Sequence, residues 1–176
     1  MNFAASLDRV ERILAAGSWR SAVAGGVALA AYGNPRLTLD LDIVAEATAQ
    51  DVLIAALEAD GYATLYRSSG FSNHQHPDPE WGRLDVIYVN AATADELFTA
   101  LRPLPGPGGR QIRVPRPEHL IAMKVQAMKN APERRWQDMA DIAFLWTLPD
   151  VDRDQVQGYF EKAGMRAQFE DLARGC

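Results

Sequence analysis

Hydrophobic positions recur along this chain with two different periods, and the switches between them predict its elements. Phe3, Leu7, Val10 and Leu14 fall at helical spacing, so residues 2–16 read as one amphipathic helix closed by Gly17. Residues 19–24 read as a short strand running into Gly25-Gly26, and Val27 to Tyr32 as a short Ala-rich helix stopped by Gly33, Asn34 and Pro35. Residues 37–44 alternate apolar and polar and give the clearest strand. Thr48 with Asp51 reads as a capping box for a helix carrying Val52, Leu53, Ala56 and Leu57 up to Gly61. Tyr62 to Tyr66 and Arg83 to Asn90 read as further strands separated by a polar loop, and Thr93 with Glu96 caps a short helix.

A Pro/Gly-rich break at 102–110 and a short strand, Gln111 to Val114, come before helical periodicity over about 117–131, 134–147 and 151–163. In the middle helix of that series Trp136, Met139, Ala140, Ala143 and Phe144 form the expected core stripe. Together these elements predict an α+β fold, a mixed α/β sheet flanked by helices with a helical C-terminal part. A length of 176 residues suits a single domain over 1–176. Within it a core of sheet and helices over 17–114 is expected, with helices over 115–176 packed on that core.

Composition narrows the class. With 48% hydrophobic and 23% charged residues the chain is globular, not disordered or collagen-like. Its one cysteine, Cys176, makes no internal disulfide and has no partner for structural zinc. The charge-free stretch from Ser21 to Pro35 is too short and too broken by glycine to span a bilayer. Asp8, Arg9, Glu11 and Arg12 interrupt any signal peptide within Met1 to Leu14, so a cytoplasmic location and no membrane partner are expected. The net charge of -5 hides an asymmetry: residues 1–100 carry -7 and residues 102–135 carry +6. An acidic half beside a basic strip suits a site that holds metal ions and phosphates, although a solvated basic helix face gives the same count.

The acids themselves are patterned. Along the strand 37–44, Leu37, Leu39, Leu41 and Ile43 point one way and Thr38, Asp40 and Asp42 the other. Two carboxylates about 7 Å apart on a rigid apolar element repel each other, and a divalent cation relieves them; a half-exposed strand with its polar face in water is the simpler alternative. Asp85 lies inside the apolar run Leu84 to Val89. A buried carboxylate needs a metal, a cation or a cavity, and Arg83 is the plain partner. With Asp40 and Asp42 it suggests a shared three-carboxylate metal site.

Gly25-Gly26 stands where missing side chains let backbone approach a ligand, or where the chain simply turns tightly. Lys124 is the one charged residue on the apolar stripe Leu120, Ile121, Ala127 and Met128, so its ammonium either snorkels or enters a polar pocket as a point charge for phosphate. Asp138 and Asp141 share another face with Ile142 and Leu145 and are candidates to hold Lys124 in place. His74 and His76 with Asp78 invite a zinc reading, but with no cysteine or third histidine nearby a hairpin or substrate-side loop fits better. His119 reads as a surface residue.

The ordered set Gly25-Gly26-x-Ala28, Gly33, Arg36-x-Thr38-x-Asp40-x-Asp42, Asp85 and the helical Lys124 followed by Asp138 and Asp141 resembles the DNA polymerase β-like nucleotidyltransferases. Within them it is most similar to the minimal AbiEii-type enzymes, found as toxins of toxin-antitoxin systems. The serine usual in many members after the first glycine is Gly26 here, a departure that suits this branch. The resemblance implies a nucleotidyltransferase fold and transfer of a nucleoside monophosphate from a triphosphate to an acceptor hydroxyl. Asp40, Asp42 and Asp85 would bind two Mg2+ ions; these three, Lys124 and Asp141 would form the catalytic set. Gly25, Gly26, Arg36, Thr38, Lys124 and Asp138 would bind the nucleotide. The implied partners are the triphosphate, an RNA acceptor of tRNA-like kind and a cognate antitoxin. A small-molecule acceptor of antibiotic type and a catalytically silent binding module on the same fold are the alternatives.

Overall fold

The computed structural model describes residues 1–35 and 37–175. Its first compact unit, Met1–Pro115, is built on a sheet. Helix α1 (Phe3–Ala16) opens with the Asn2 side chain accepting from the Ala5 N–H and buries Leu7, Val10 and Leu14. Strand β1 (Ser21–Val23), helix α2 (Gly25–Ala31) and strand β2 (Asp40–Glu46) follow. A 3-10 turn at Ala47–Ala49 leads into α3 (Gln50–Ala59), and β3 (Ala63–Arg67) with β4 (Phe71–Gln75) forms a hairpin. The unit continues with β5 (Arg83–Val89), α4 (Ala91–Thr99) and a separate hairpin of β6 (Arg102–Pro105) and β7 (Gln111–Val114).

The sheet order is β1-β2-β5-β4-β3, with β2 and β5 parallel at its centre and the other pairs antiparallel. Register decides what each face carries. Leu41, Ile43 and Ala45 lie beside Leu84, Val86 and Tyr88 and are buried. Asp40 and Asp42 lie beside Arg83 and Asp85 on the other face, at the N-terminal ends of both strands.

Inside the apolar face runs a polar chain. The Thr64 hydroxyl donates to Glu58 at 2.7 Å, so it accepts from the His74 Nδ1–H at 3.2 Å. The other ring nitrogen then accepts from the Ser72 hydroxyl at 2.8 Å, and Ser72 accepts from the Tyr88 hydroxyl at 2.9 Å. This arrangement uses a neutral imidazole that donates at one ring nitrogen and accepts at the other. His74 is fully buried, and that burial lowers its pKa although the Glu58 and Asp85 charges oppose the shift.

The second unit begins at Arg116 and is helical: α5 (Pro117–Asn130), a 3-10 turn at Pro132–Arg134, α6 (Arg135–Trp146), α7 (Arg153–Ala163) and α8 (Arg166–Gly175). Its core joins Leu120, Ile121, Val125 and Met128 of α5 to Ile142, Leu145 and Trp146 of α6 and to Val156 and Phe160 of α7. The Phe169 ring meets Trp146 edge-on at 5.8 Å. Buried Glu118 accepts from Arg116 at 2.9 Å and from the Asp152 N–H at 2.6 Å, which ties the start of α7 to the first turn of α5.

Several expected elements differ. The strand expected over 37–44 begins only at Asp40, and Leu37 and Leu39 are 85% and 75% exposed instead of facing the core. Strand β4 occupies the expected polar loop, because the His74 chain lets polar side chains be buried. Strand β6 lies in the Pro/Gly break, where its four residues pair with β7 alone. Asn90, not Thr93, caps α4, and α3 has no side-chain cap. Helix α8 has no counterpart among the expected elements. On α6 the expected stripe is reversed: Trp136 is 86% exposed and Asp138, Asp141, Ile142, Leu145 and Trp146 are buried. His119 is buried as well. Among the described residues no helix is long and apolar enough to cross a membrane.

A depressed His74 pKa makes the folded state bind fewer protons than the unfolded one, so its contribution to stability is present above the unfolded value and is lost as pH falls below about 6.5. The melting temperature is expected to drop between pH 7 and pH 5, and less in His74→Gln, which circular dichroism melts in matched buffers measure. Equal drops in both proteins would refute the neutral-histidine assignment.

Candidate active site

The carboxylates converge because parallel strands place in-register residues side by side. Asp42 stands opposite Asp85 and Asp40 opposite Arg83. Asp85 is buried, its side chain 9% exposed. Its Oδ1 accepts from the Arg83 Nε at 3.1 Å and from the Asn73 amide, and its Oδ2 accepts from the Arg83 Nη2 at 3.3 Å. The Asp85 carboxylate raises the Arg83 pKa, and the charges of Asp40 and Asp42 add to that shift. Arg83 thus pairs with Asp85 and also feels the charges of the other two acids.

Asp40 is held from its own strand end. The Thr38 hydroxyl donates to Asp40 Oδ1 at 2.8 Å, and the Thr38 side chain lies so close to Gly26 that a Cβ there would stand 2.6 Å from its Oγ1. Asp42 meets the neighbouring glycine: a Cβ on Gly25 would stand 1.8 Å from Asp42 Oδ2, and Gly25 has a φ of +55°. The space in front of both glycines is filled by the chain's own Asp42 and Thr38. Glycine is therefore required at both positions whether or not a nucleotide binds.

On the second unit the Lys124 ammonium lies 3.0 Å from Asp138 Oδ1 and 2.6 Å from Asp141 Oδ2. All three side chains are nearly buried, at 12%, 3% and 5% exposure. Asp138 Oδ2 is buried without a hydrogen-bond partner. The helix turns these acids inward because Lys124 neutralises them there; a stripe read from hydrophobicity alone excludes charged positions and so turns the wrong face to the core.

Sequence reasoning missed Asn73. It lies in the stretch read as a loop, and a lone asparagine carries no pattern until β4 brings it beside Asp85. Arg36, expected in the nucleotide site, lies outside the described residues. His74 and His76 part company: His74 joins the buried chain, while the His76 ring accepts from the Asp78 N–H at 3.0 Å and packs edge-on against Tyr62.

A family model described as nucleotidyl transferase AbiEii toxin, type IV TA system, matches residues 12–174. The chain belongs to this family. It is a nucleotidyltransferase, and no curated protein matches it in sequence. In fold it is similar to the antibiotic-resistance factor ANT(2'')-Ia in its solution structure, 16% identical with a TM-score of 0.67 over 99% of this chain and 98% of that one. It is also similar to the lincomycin-bound lincosamide antibiotic adenylyltransferase LnuA, 16% identical with a TM-score of 0.53 over 82% of this chain and 97% of that one. An antigenic nucleotidyltransferase-like protein from Paracoccidioides brasiliensis shares the fold at 12% identity and a TM-score of 0.53, over 96% of this chain and 91% of that one.

An AbiEii nucleotidyltransferase takes a nucleoside triphosphate, and such enzymes typically use a divalent metal. Asp40, Asp42 and Asp85 fit a hard cation in kind, since all offer carboxylate oxygens, and in placement, since they share one end of one sheet face. Among the described residues no three His, Cys, Asp or Glu side chains already form a metal-binding group. Arg83 holds the charge of Asp85 instead.

Gly25→Ala is expected to push the Asp42 carboxylate aside and to strain a left-handed residue, with a loss of about 1–2 kcal/mol and of nucleotidyl transfer. Urea unfolding and a transfer assay measure both. A variant as stable and as active as the parent would contradict the contact.

Proposed function

We propose that the chain transfers a nucleoside monophosphate from a triphosphate to an acceptor hydroxyl in a reaction dependent on Mg2+, with RNA as the acceptor, as the toxin half of a type IV toxin-antitoxin pair. The observation that carries the reading is the in-register pair of Asp42 and Asp85 with Asp40 beside it on neighbouring parallel strands. Bound there, two divalent ions would neutralise phosphate charge and polarise the α-phosphate. Asp40, Asp42 and Asp85 would hold such ions through carboxylate oxygens. Asp85 also takes the proton of the acceptor hydroxyl as the new oxygen–phosphorus bond forms at the α-phosphorus. The bond to the bridging oxygen then breaks and pyrophosphate leaves with its electron pair. Lys124, paired with Asp138 and Asp141, is the phosphate cation of the second unit. Gly25 and Gly26 let Asp42 and Thr38 reach their positions, and Arg36 is proposed as a further nucleotide contact. The reaction is mainly positioning and charge neutralisation, which suits a site made of fixed acids and a few cations.

RNA is supported by the +6 carried by residues 102–135, since a run of basic residues suits a phosphate backbone. A cationic small-molecule acceptor is supported by the -7 carried by residues 1–100. Incubation with each labelled triphosphate, Mg2+ and either total RNA or an aminoglycoside panel separates the two. Label on RNA supports the proposal, label on the small molecule transfers it to the second acceptor, and no label with any acceptor removes it. Asp42→Asn is expected to lower transfer by at least about a thousandfold while the melting temperature holds, which the same assay and a thermal melt check.

A further inference from the structure

Asp85 has an unequal set of partners. Among the described residues Oδ1 takes two donors, the Arg83 Nε and the Asn73 amide, whereas Oδ2 takes only the longer Arg83 contact of 3.3 Å. The two donor residues also differ in how free they are to leave. The Arg83 side chain is 48% exposed and stands at the strand end, so it can withdraw when another cation arrives. Asn73 is 5% exposed, sits in the middle of β4 and pairs directly with Asp85 in the β4–β5 ladder. Its amide is neutral and does not compete with a metal ion for the carboxylate's charge. It has every reason to stay on Oδ1, since leaving would bury an unpaired amide.

We propose that Asn73 is a positioning residue: it pins Asp85 Oδ1 from the neighbouring strand and so leaves Oδ2 as the oxygen offered to the reacting groups, while Arg83 is the exchangeable partner of that oxygen. The inference rests on the reading of Asp85 as a metal-binding and proton-accepting group. It assigns to Asn73 a role that neither the carboxylate pattern nor the glycine turn contains. A carboxylate with both oxygens free to rotate would meet a cation in several ways; one held at Oδ1 meets it in one.

Mn2+ binding to the whole chain, followed by electron paramagnetic resonance, tests this without relying on turnover. Asn73→Ala is expected to weaken Mn2+ binding about tenfold in the parent and to have no further effect in an Asp85→Asn background. Transfer kinetics are expected to show a lower kcat with the KM for the triphosphate held within about twofold. Asn73→Ser, which keeps a donor in a smaller side chain, is expected to recover part of the affinity and guards against a variant that fails to fold. The same fold-loss in both backgrounds, or an unchanged affinity in a folded Asn73→Ala or Asn73→Ser protein, overturns the inference. A parent that binds no Mn2+ overturns it together with the metal-dependent function. A parent that binds Mn2+ and transfers nucleotide while the cycle shows no coupling overturns this inference alone.

Discussion

Repulsion between three carboxylates on one face of an apolar sheet is the constraint around which the first unit is built. In-register residues on adjacent strands stand about 4.8 Å apart, close enough for like charges to oppose each other strongly where water is scarce. Each acid has its own answer. Asp40 takes the Thr38 hydroxyl, Asp42 uses the gap left by Gly25, and Asp85 takes Arg83 and Asn73. Thr38 and Arg83 act from the acids' own strand ends, whereas Gly25 comes from α2 and Asn73 from β4, so the full set is assembled only when α2, β2, β4 and β5 are together. Building the charged end thus makes the hairpin β3–β4 more than an addition to the sheet: it carries Asn73 on one face and His74 on the other.

The second unit meets the same difficulty with the signs rearranged. One ammonium lies between two buried carboxylates, and among the described residues Asp138 Oδ2 is buried without a hydrogen-bond partner. Breaking such a buried set by removing one member costs about 3–5 kcal/mol, because the survivors are left uncompensated. A site that existed for stability alone would be better served by apolar side chains of similar size. Asp138 and Asp141 stand on a helix whose other buried positions are Ile142, Leu145 and Trp146, and their charge is met by Lys124 from α5, which is in keeping with the proposed use of that ammonium.

What could be read in the sequence follows from which forces act locally. The alternation in Leu39 to Val44 and the apolar run Leu84 to Val89 are local properties, and both strands were legible from them together with the acids they carry. Gly25-Gly26 was legible as a turn, but its cause was not: the close approach of Asp42 and Thr38 joins residues 12 and 17 positions away along the chain. The hydrophobic pattern misplaced the α6 face because Asp138 and Asp141 are buried by a partner 14 and 17 residues earlier, and no periodicity in α6 itself records Lys124. Strand β4 was hidden for the same reason. Ser72, Asn73 and His74 look like loop residues until Thr64, Tyr88 and Asp85 satisfy them.

These misreadings share a physical origin. A polar residue can be buried only when another part of the chain completes its hydrogen bonds, so long-range polar pairs are invisible to any local rule. A sheet built for stability would rely on the local rule throughout. Here the exceptions lie at the N-terminal ends of β2 and β5, on both faces of β4 and on α6. Arg83 is the most telling of them. It is half-exposed, carries the charge that offsets Asp85, and stands where a metal ion and a triphosphate would bring larger charges of both signs. An arginine there keeps the acid end folded while it is empty and can be displaced once it is filled. Asn73, neutral and buried, cannot supply charge but can keep the carboxylate aimed through the exchange. Dividing the two duties between two residues lets the site be stable without its ligands and still open to them.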